Sequence, residues 1–477
     1  MKNILHIAIL FLSVNVFCVG DSIADDRTFR SEVTAALKKS ATFFRTQAAY
    51  QGGYVYYYYL DLKQRWGEGI AGPSQIWVQP PGTPTVGIAF LKAYRATGDR
   101  FYLDAATDAA NALVYGQLKS GGWTNLVDFN PRSKTTALYR NGKGRGKNNS
   151  TLDDGISQGA IRLLMQVDQA HKFKNKKIHD SVQIALAALL KAHYPNGAFP
   201  QVWTTAVKPQ PVLKASMPSY DWRTEGRIKN YWDMYTLNDG LAGTVSETLL
   251  EAYSIYEEEK YKTALIKLGD FLILAQLPEP QPAWAQQYGF NMHPIWARKF
   301  EPPGITGGES QDAIETLMKI YRLTKNEKYL EPIPRAIKYL NRSLLPDGQL
   351  ARYYALKTNR PLYMKRQGKV YSLTYDDSDL PRHYGWKITS RLNELNAAYR
   401  VLKTGKGNSN RSPSVAELKK QAQQILQELD SQGRWINIAT SERLIGQPKF
   451  PIKSRYIASE TFSKNIETLS DYLLASQ

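Results

Sequence analysis

Cysteine is nearly absent from this 477-residue chain: the only one, Cys18, lies inside a segment typical of a secretory signal. The segment contains an apolar run from Ile4 to Val19 followed by small residues, so we expect residues 1–24 to be a signal peptide and residues 25–477 the mature, secreted or periplasmic protein. The mature chain would then lack disulfides and cysteine-ligated metals. The small residue usual before a lipid-anchored cysteine is also missing, which disfavours Cys18 as an anchor.

Long apolar runs and clustered histidines are also lacking. After the signal segment, no stretch approaches about 18 consecutive apolar residues, so we expect no insertion into a membrane. The chain has six histidines, and His293 and His383 stand alone in linkers between helical segments. A histidine metal site and a Ser-His-Asp triad are therefore not indicated.

Acidic residues are scarce relative to basic ones, with 43 Asp and Glu against 62 Lys and Arg, for a net charge of +19. In an exported protein this excess favours a polyanionic partner, namely nucleic acid, an anionic membrane or an acidic polysaccharide. The alternative is that part of the charge only keeps the protein soluble. No nucleic-acid-binding module is recognisable, and the cations are interleaved with acids and aromatic residues, so nucleic acid is disfavoured.

Pairs of amphipathic helical segments recur along the chain, each ending in a glycine-rich or proline-rich exit. The five pairs cover residues 86–123, 159–201, 241–284, 312–350 and 392–435. One helix pair cannot bury its apolar stripe alone, so consecutive pairs must stack. The pattern predicts an all-α array of helical hairpins.

Two further helical segments, residues 29–50 and 457–475, have no partner in sequence. Packed together they would form a sixth hairpin and close the array into an α/α toroid, or (α/α) barrel. An open solenoid is the alternative. Because long, aromatic and proline-rich linkers join the pairs, we expect these linkers to form a groove over one end of the ring. No change of composition marks a second domain, and we expect residues 25–477 to form one monomeric catalytic domain.

Carboxylates occupy equivalent positions in two repeats. "STLDDG" places Asp153 and Asp154 at the start of a helix, and "YTLNDG" places Asp239 at the same position one repeat later. Helix capping could account for either motif, since Asp is a favoured N-cap residue. Convergence at one end of the ring would instead let the oxygens hold a hard divalent cation.

Arginines interleaved with aromatic residues fill the next two linkers. "HPIWARKFEPP" contains Trp296 and Arg298, and "LARYYALKTNRPLY" contains Arg352 and Arg360. Arginine matches carboxylates with a bidentate fork, and aromatic faces offer flat apolar area to sugar rings. Arginine, aromatic rings and paired acids together indicate a site for an acidic sugar polymer, although aromatic packing between linkers is the alternative for most of the tyrosines.

Five motifs in this order, "STLDDG", "AHYPNGAFPQ", "YTLNDG", "PIWARKFEPP" and "LARYYALKTNRPLY", resemble the pectic acid lyases, family 10 of the polysaccharide lyases. The resemblance covers residues 85–390. It implies an α/α-toroid enzyme that cleaves polygalacturonate by calcium-assisted β-elimination. Two motifs depart from the family pattern: in "GGWTN", Asn125 stands where many relatives have a lysine, and in "NGAFPQ", Ala198 and Phe199 stand where glycine and tryptophan are usual.

The resemblance also implies roles for single residues. Asp153 would engage calcium and substrate, Asp239 would be a second essential carboxylate, and Arg298 would be the base. The expected site is completed by two sets: Arg360, Arg352, Asn238, Asp154 and Trp296 as substrate-binding residues, and Asp153, Asp154 and Asp239 as Ca2+ ligands.

Arginine is an unusual base, since its pKa lies above about 12. We expect neighbouring cations and desolvation to favour the neutral form of Arg298, because both disfavour a positive charge. The alternative is that Arg298 remains charged and clamps the substrate carboxylate. Two other classes stay open: a glycoside hydrolase that uses Asp153 or Asp239 as general acid and base, and a glycan-binding protein without turnover.

Overall fold

The computed structural model describes residues 18–406, 412–440 and 451–477. The predicted signal peptide therefore lies outside the described residues up to residue 17, and residues 18–24 belong to the first helix. None of the helices in the described ranges combines the length and the hydropathy needed to cross a bilayer.

All the predicted helical segments form helices. The described residues contain twelve α-helices: α1 (Cys18–Phe43), α2 (Thr83–Thr97), α3 (Arg100–Gly116), α4 (Ile156–Ala170), α5 (Lys176–Lys191), α6 (Leu241–Tyr256), α7 (Glu259–Ala275), α8 (Gly307–Thr324), α9 (Ile333–Arg342), α10 (Leu392–Thr404), α11 (Val415–Gln427) and α12 (Ser459–Ala475). Local signals set their boundaries. Gly98 ends α2 in the left-handed conformation, and the Asp99 carboxylate accepts a hydrogen bond from the Phe101 N–H at the start of α3.

Helices that begin at the linker end of each hairpin pack side by side. Along the chain, α2 packs on α4, α4 on α6, α6 on α8 and α8 on α10; we call these the inner helices. Each inner helix also packs on an outer helix, which is the second helix of its own hairpin or of the preceding one. Near the C-terminus, α12 packs on α2 as well as on α1 and α11. The end of the chain therefore lies against its beginning, which confirms the α/α toroid.

Phe462 on α12 fills the junction between the two ends of the chain. Its ring is 1% exposed and stacks on Phe44, with the ring centres 3.6 Å apart, and it also contacts Phe90 of α2. Such aromatic contacts add to the free energy of burial. A buried aromatic cluster thus joins α12 to α2 and to the segment that follows α1.

We expect Phe462→Ala to lower the free energy of unfolding by about 3–5 kcal/mol, because it leaves a cavity among aromatic rings. Urea denaturation followed by circular dichroism measures the loss. The matched control is Leu474→Ala on the same helix, at a side chain that is 39% exposed. An equal loss in both variants would contradict the inferred importance of the junction.

Short strands, which the sequence pattern did not predict, organise the linkers. The described residues contain seventeen: β1 (Tyr57–Tyr59), β2 (Arg65–Trp66), β3 (Ile70–Ala71), β4 (Gln75–Trp77), β5 (Leu126–Asp128), β6 (Ser150–Thr151), β7 (Val202–Trp203), β8 (Tyr235–Thr236), β9 (Gln287–Tyr288), β10 (Ile305–Thr306), β11 (Leu350–Ala351), β12 (Tyr353–Tyr354), β13 (Pro361–Gln367), β14 (Val370–Thr374), β15 (Lys387–Ile388), β16 (Asn437–Ile438) and β17 (Arg455–Ala458).

The strands pair in a repeating manner. The strand before an inner helix pairs antiparallel with a strand that follows the outer helix of the same hairpin, as β6 does with β7 and β8 with β9. Pairing satisfies backbone polar groups that the linkers would otherwise bury. Because every such pair lies where an inner helix begins, the linkers gather at one end of the ring, as expected from the sequence.

Candidate active site

Two left-handed turns place the predicted aspartates at this end of the ring. Asp153–Gly155 and Asn238–Gly240 each form one 3-10 turn immediately before α4 and α6. In both turns the middle residue, an aspartate, and the following glycine have positive φ: 46° at Asp154 and 53° at Asp239. Asp tolerates this conformation better than most residues do, and glycine adopts it freely. The repeated "DG" in the sequence thus encodes a repeated turn.

The two turns bring the predicted carboxylates together. Asp153, Asp154 and Asp239 each offer an oxygen, and the three oxygens lie within 4.8 Å of one another. The N-cap positions of α4 and α6 are glycines without side-chain capping bonds, so these carboxylates do not cap the helices. The helix-capping interpretation is therefore wrong, and the three oxygens form a group that could hold a metal ion.

Glutamine side chains hold two of the carboxylates in place. Gln201 Nε2 donates to Asp153 Oδ1 at 2.6 Å. Gln79 Nε2 donates to Asp154 Oδ2 at 2.8 Å and to Glu68 Oε1 at 3.0 Å, which adds a further acid to the edge of the site. Neither glutamine was predicted, since each comes from a linker distant in sequence from its partner.

Crowding of like charges changes the acidity of the site. Although the Asp154 residue as a whole is exposed, desolvation of its carboxyl group, followed by the negative charges of Asp153 and Glu68, raises the pKa of Asp154 to about 6. Burial, and then Asp154 and Asp153, raise the pKa of Asp239 well above its usual value. A bound cation would offset this repulsion.

Arg298 is held by Glu301. Its Nε and Nη2 donate to the two Glu301 carboxylate oxygens at 2.7 and 2.6 Å, and its backbone N–H donates to the same carboxylate at 2.9 Å. Glu301 is 2% exposed and also accepts a bond from the Tyr384 hydroxyl at 2.9 Å. Within the described parts of the chain, Arg298 Nη1 has no hydrogen-bond partner. Glu301 thus fixes the Arg298 guanidinium and leaves its Nη1 nitrogen free.

This ion pair changes the expected charge state of Arg298. Burial lowers the pKa of Arg298, but the hydrogen bonds and negative charge of Glu301 more than reverse this, and the net pKa lies above its usual value. The prediction that the surroundings favour a neutral guanidine is therefore wrong for this arrangement, because it considered cations and desolvation and not the buried carboxylate three residues away.

A second arginine lies between the aspartates and Tyr384. Arg352 Nη2 is 3.6 Å from Asp239 Oδ1 and 4.0 Å from Glu309 Oε1, and its guanidinium carbon lies 4.3 Å from the centre of the Tyr384 ring. Burial lowers the pKa of Arg352, but the negative charge of Glu309 and the neighbouring tyrosines raise it by more. The net pKa lies above its usual value, so the residue stays charged. Arg352 and Arg298 both act electrostatically on Asp154, where each opposes the rise in pKa.

The other predicted site residues have varied surroundings. Asn238 is 5% exposed, its amide donates to Asp239, and its Oδ1 has no hydrogen-bond partner. Trp296 is 4% exposed and donates its Nε1–H to the Trp222 carbonyl at 2.8 Å. Arg360 stacks 3.7 Å from the centre of the Tyr375 ring, and no hydrogen bond or ion pair within the described residues joins it to the aspartates. The structure thus brings Arg352 and Asn238, but not Arg360, into contact with the carboxylate group.

Phe199, one of the residues that depart from the family pattern, is a packing residue. It is 1% exposed and stacks on His193, with ring centres 4.5 Å apart. Burial lowers the pKa of His193 to about 4, so this histidine is neutral at physiological pH. The pair forms part of the core beneath the linkers.

Comparisons with known proteins agree with the motifs. The model of the pectic acid lyase family matches residues 117–320, a segment that contains the three aspartates and Arg298. None of the curated proteins matches the chain. The match confirms the resemblance to the pectic acid lyases and the prediction of a polysaccharide lyase.

Solved structures with a similar arrangement of helices include a mutant of a family 10 polysaccharide lyase from Cellvibrio cellulosa in complex with trigalacturonic acid, at 19% identity and a TM-score of 0.47 over 68% of this chain and 98% of that one. A D-mannose isomerase is 14% identical, with a TM-score of 0.47 over 94% and 98% of the two chains. A cellobiose 2-epimerase from Bacillus thermoamylovorans is also 14% identical, with a TM-score of 0.47 over 94% and 99%.

Proposed function

We propose that this protein cleaves polygalacturonate, or a related uronate polysaccharide, by calcium-assisted β-elimination. The observation that carries the proposal is the meeting of three carboxylates, from two equivalent turns, with the guanidinium groups of Arg298 and Arg352. Carboxylates suit a hard cation, and arginines suit the carboxylates of a uronate. An uncharged polysaccharide has no carboxylates that a cation and arginines could bind.

The aspartate group fits calcium in the chemistry of its donors. Calcium prefers six to eight oxygen ligands, and Asp153, Asp154 and Asp239 supply several, leaving room for substrate oxygens. The buried Oδ1 of Asn238 has no hydrogen-bond partner and is a further oxygen beside Asp239. When bound, calcium would neutralise the substrate carboxylate and the negative charge that develops next to it.

The chain's own residues would carry the elimination. We propose that Arg298, in its deprotonated form, accepts the C5 proton of the uronate on its free Nη1. The C5–H electron pair forms the C4–C5 double bond of the unsaturated sugar as the C4–O bond breaks, and the departing oxygen takes a proton from water. Glu301 fixes the guanidinium by its two hydrogen bonds, so the free nitrogen is positioned before substrate binds. Arg352, which stays charged, would stabilise the carboxylate as its negative charge increases.

The raised pKa of Arg298 favours a second role for this residue. A guanidinium that keeps its proton would clamp the substrate carboxylate rather than accept the C5 proton. Both roles require the contact with Glu301. A lysine at position 298 could replace the charge that a clamp needs, but not the positioned nitrogen that a base needs.

Removal of calcium is the direct test of the proposed reaction. We expect excess chelator to abolish formation of the unsaturated product from polygalacturonate, because crowded carboxylates alone would repel the substrate, and added calcium to restore it. Ultraviolet absorbance of the conjugated product measures the rate. Potassium chloride at equal ionic strength is the control and should restore nothing. Full activity in chelator would remove calcium from the reaction.

The remaining sequence expectations belong to the same proposal. We propose that residues 25–477 act as one exported, monomeric catalytic domain. The contact between the two ends of the chain, at Phe44 and Phe462, supports a single unit. Light scattering of the purified protein should give the mass of one chain, and a dimer would contradict the proposed state.

A further inference from the structure

A basic groove borders the linker that contains Arg298. Its volume is about 510 Å3, within the range of roughly 300–1,000 Å3 typical of ligand sites. It is bounded by residues 223–227, by residues 296–299 and by strands β13 and β14. Its lining contains four cations and no acid; the cations are Arg223, Arg227, Lys299 and Lys369.

Most of these cations have no carboxylate partner. Arg223 is paired with Asp221 at 3.1 Å. Within the described residues, Arg227, Lys299 and Lys369 form no ion pair, and all three are exposed. Like charges gathered in a concave surface repel one another and attract a polyanion. Cations that only keep a protein soluble do not have to line a concave surface. The concave shape and the positive charge together therefore indicate a ligand.

The basic groove adjoins the carboxylate site. The Arg227 guanidinium carbon lies 5.9 Å from the centre of the Tyr231 ring. Burial and the negative charge of Glu301 raise the pKa of Tyr231, whereas Arg298 and Arg227 oppose the rise, so charges of both the groove and the active-site ion pair act on Tyr231. The Phe300 ring makes a second link, at 5.0 Å from Arg298 and 5.4 Å from Tyr371 of the groove.

The walls of the groove are fixed by aromatic contacts. The Trp296 indole donates to the Trp222 carbonyl at 2.8 Å, and Arg223 lies 4.9 Å from the Trp222 ring. On the opposite wall, the Tyr371 hydroxyl and His383 Nε2 are 3.1 Å apart. The partly exposed Tyr371 ring offers a flat surface to a sugar, as aromatic rings in carbohydrate sites do. A preformed groove loses little entropy when it binds.

We propose that the basic groove binds uronate units of the polysaccharide beyond those at the reacting bond, and so gives the enzyme a preference for long chains. The inference rests on the proposed function for the identity of the polymer. Arg227, Lys299 and Lys369 bind successive carboxylates, and Tyr371 supports a sugar ring. The groove adds affinity without taking part in the chemical step.

The test compares two double variants that remove the same charge. Arg227→Gln/Lys299→Gln removes two unpaired cations of the groove, and Arg335→Gln/Lys338→Gln removes two exposed cations of α9. Calorimetry in excess chelator gives the Kd of polygalacturonate and of trigalacturonate for each protein. We expect the affinity advantage of the polymer over the trimer to shrink about fivefold in the groove variant, as for the loss of two exposed ion pairs, and to stay unchanged in the α9 variant.

Three results of these binding measurements would overturn the proposed role of the groove. An unchanged advantage in the groove variant, with circular dichroism of a folded protein, overturns the proposed groove even if the enzyme cleaves polygalacturonate. If the affinity advantage falls equally in both double variants, the effect is one of net charge. If the wild type binds polyglutamate as tightly as polygalacturonate, the groove attracts any polyanion. Either result overturns the proposal. Groove-dependent binding in a protein that never forms the unsaturated product would instead support the groove and contradict the proposed reaction.

Discussion

Arg298→Lys is expected to lower kcat on polygalacturonate by about 10²- to 10⁴-fold, the usual contribution of a positioned base. Lysine keeps the positive charge, but its single nitrogen cannot contact both Glu301 oxygens and also present a free nitrogen to C5. The wild-type rate should rise toward alkaline pH. Only the deprotonated guanidine can accept a proton, and its pKa is raised by Glu301, so each increase in pH enlarges a small active fraction.

The clamp role predicts a different result. If Arg298 only neutralises the substrate carboxylate, lysine should retain the rate to within about tenfold, or about 1.4 kcal/mol of transition-state stabilisation. Arg434→Lys is a matched control, because Arg434 also donates from its backbone N–H and its Nε to one carboxylate, that of Asp430. Thermal unfolding of both variants shows whether loss of such a pair destabilises the fold. Near-wild-type turnover of Arg298→Lys would rule out the base.

Asp153→Ala is expected to abolish most turnover, with a loss comparable to that of Arg298→Lys, and to leave the fold intact. Its carboxylate is partly exposed, caps no helix and makes one side-chain hydrogen bond, with Gln201. The substitution therefore removes an oxygen from the cation site and little from the packing. Kinetics, calcium titration by calorimetry and thermal unfolding should be measured on the same preparation.

Asp180→Ala provides the matched control for charge. Asp180 lies on α5 with a side chain that is 48% exposed, and its removal should change neither turnover nor calcium affinity. Loss of the native fold in Asp153→Ala, with aggregation on purification, would instead make Asp153 a structural residue. Unchanged calcium affinity with lost turnover would leave Asp153 in contact with substrate alone.

Helices were predictable from this sequence because their signals are local and repeated. Apolar periodicity, Gly98 at the end of α2 and the Asp99 cap all act within a few residues. The convergence of Asp154 and Asp239 was also accessible, since equivalent positions of stacked repeats must lie on the same end of the ring. The closure by α12 followed from counting unpaired helices.

Other features depend on contacts between distant linkers. Gln201 on Asp153, and Tyr384 on Glu301, join segments that no periodicity relates. Strands as short as β6 and β7 carry too few residues for an alternating pattern, and their pairing depends on where the helices place them. The charge state of Arg298 was mispredicted for a different reason: Glu301 was visible in the sequence, but its burial was not, and burial determines the strength of its effect.

The left-handed turns also restrict which residues evolution or a designer can place at the carboxylate positions. Glutamate carries the same functional group as aspartate and could reach a cation with one more methylene. Asp154 and Asp239, however, have φ of 46° and 53°, where residues other than Gly, Asn and Asp are disfavoured. This backbone therefore favours aspartate over glutamate at both positions, although the chain itself places Glu257 at a φ of 55°, and asparagine is the replacement that alters charge with the least change of conformation. The preference for aspartate thus has a conformational reason that precedes any chemistry with substrate.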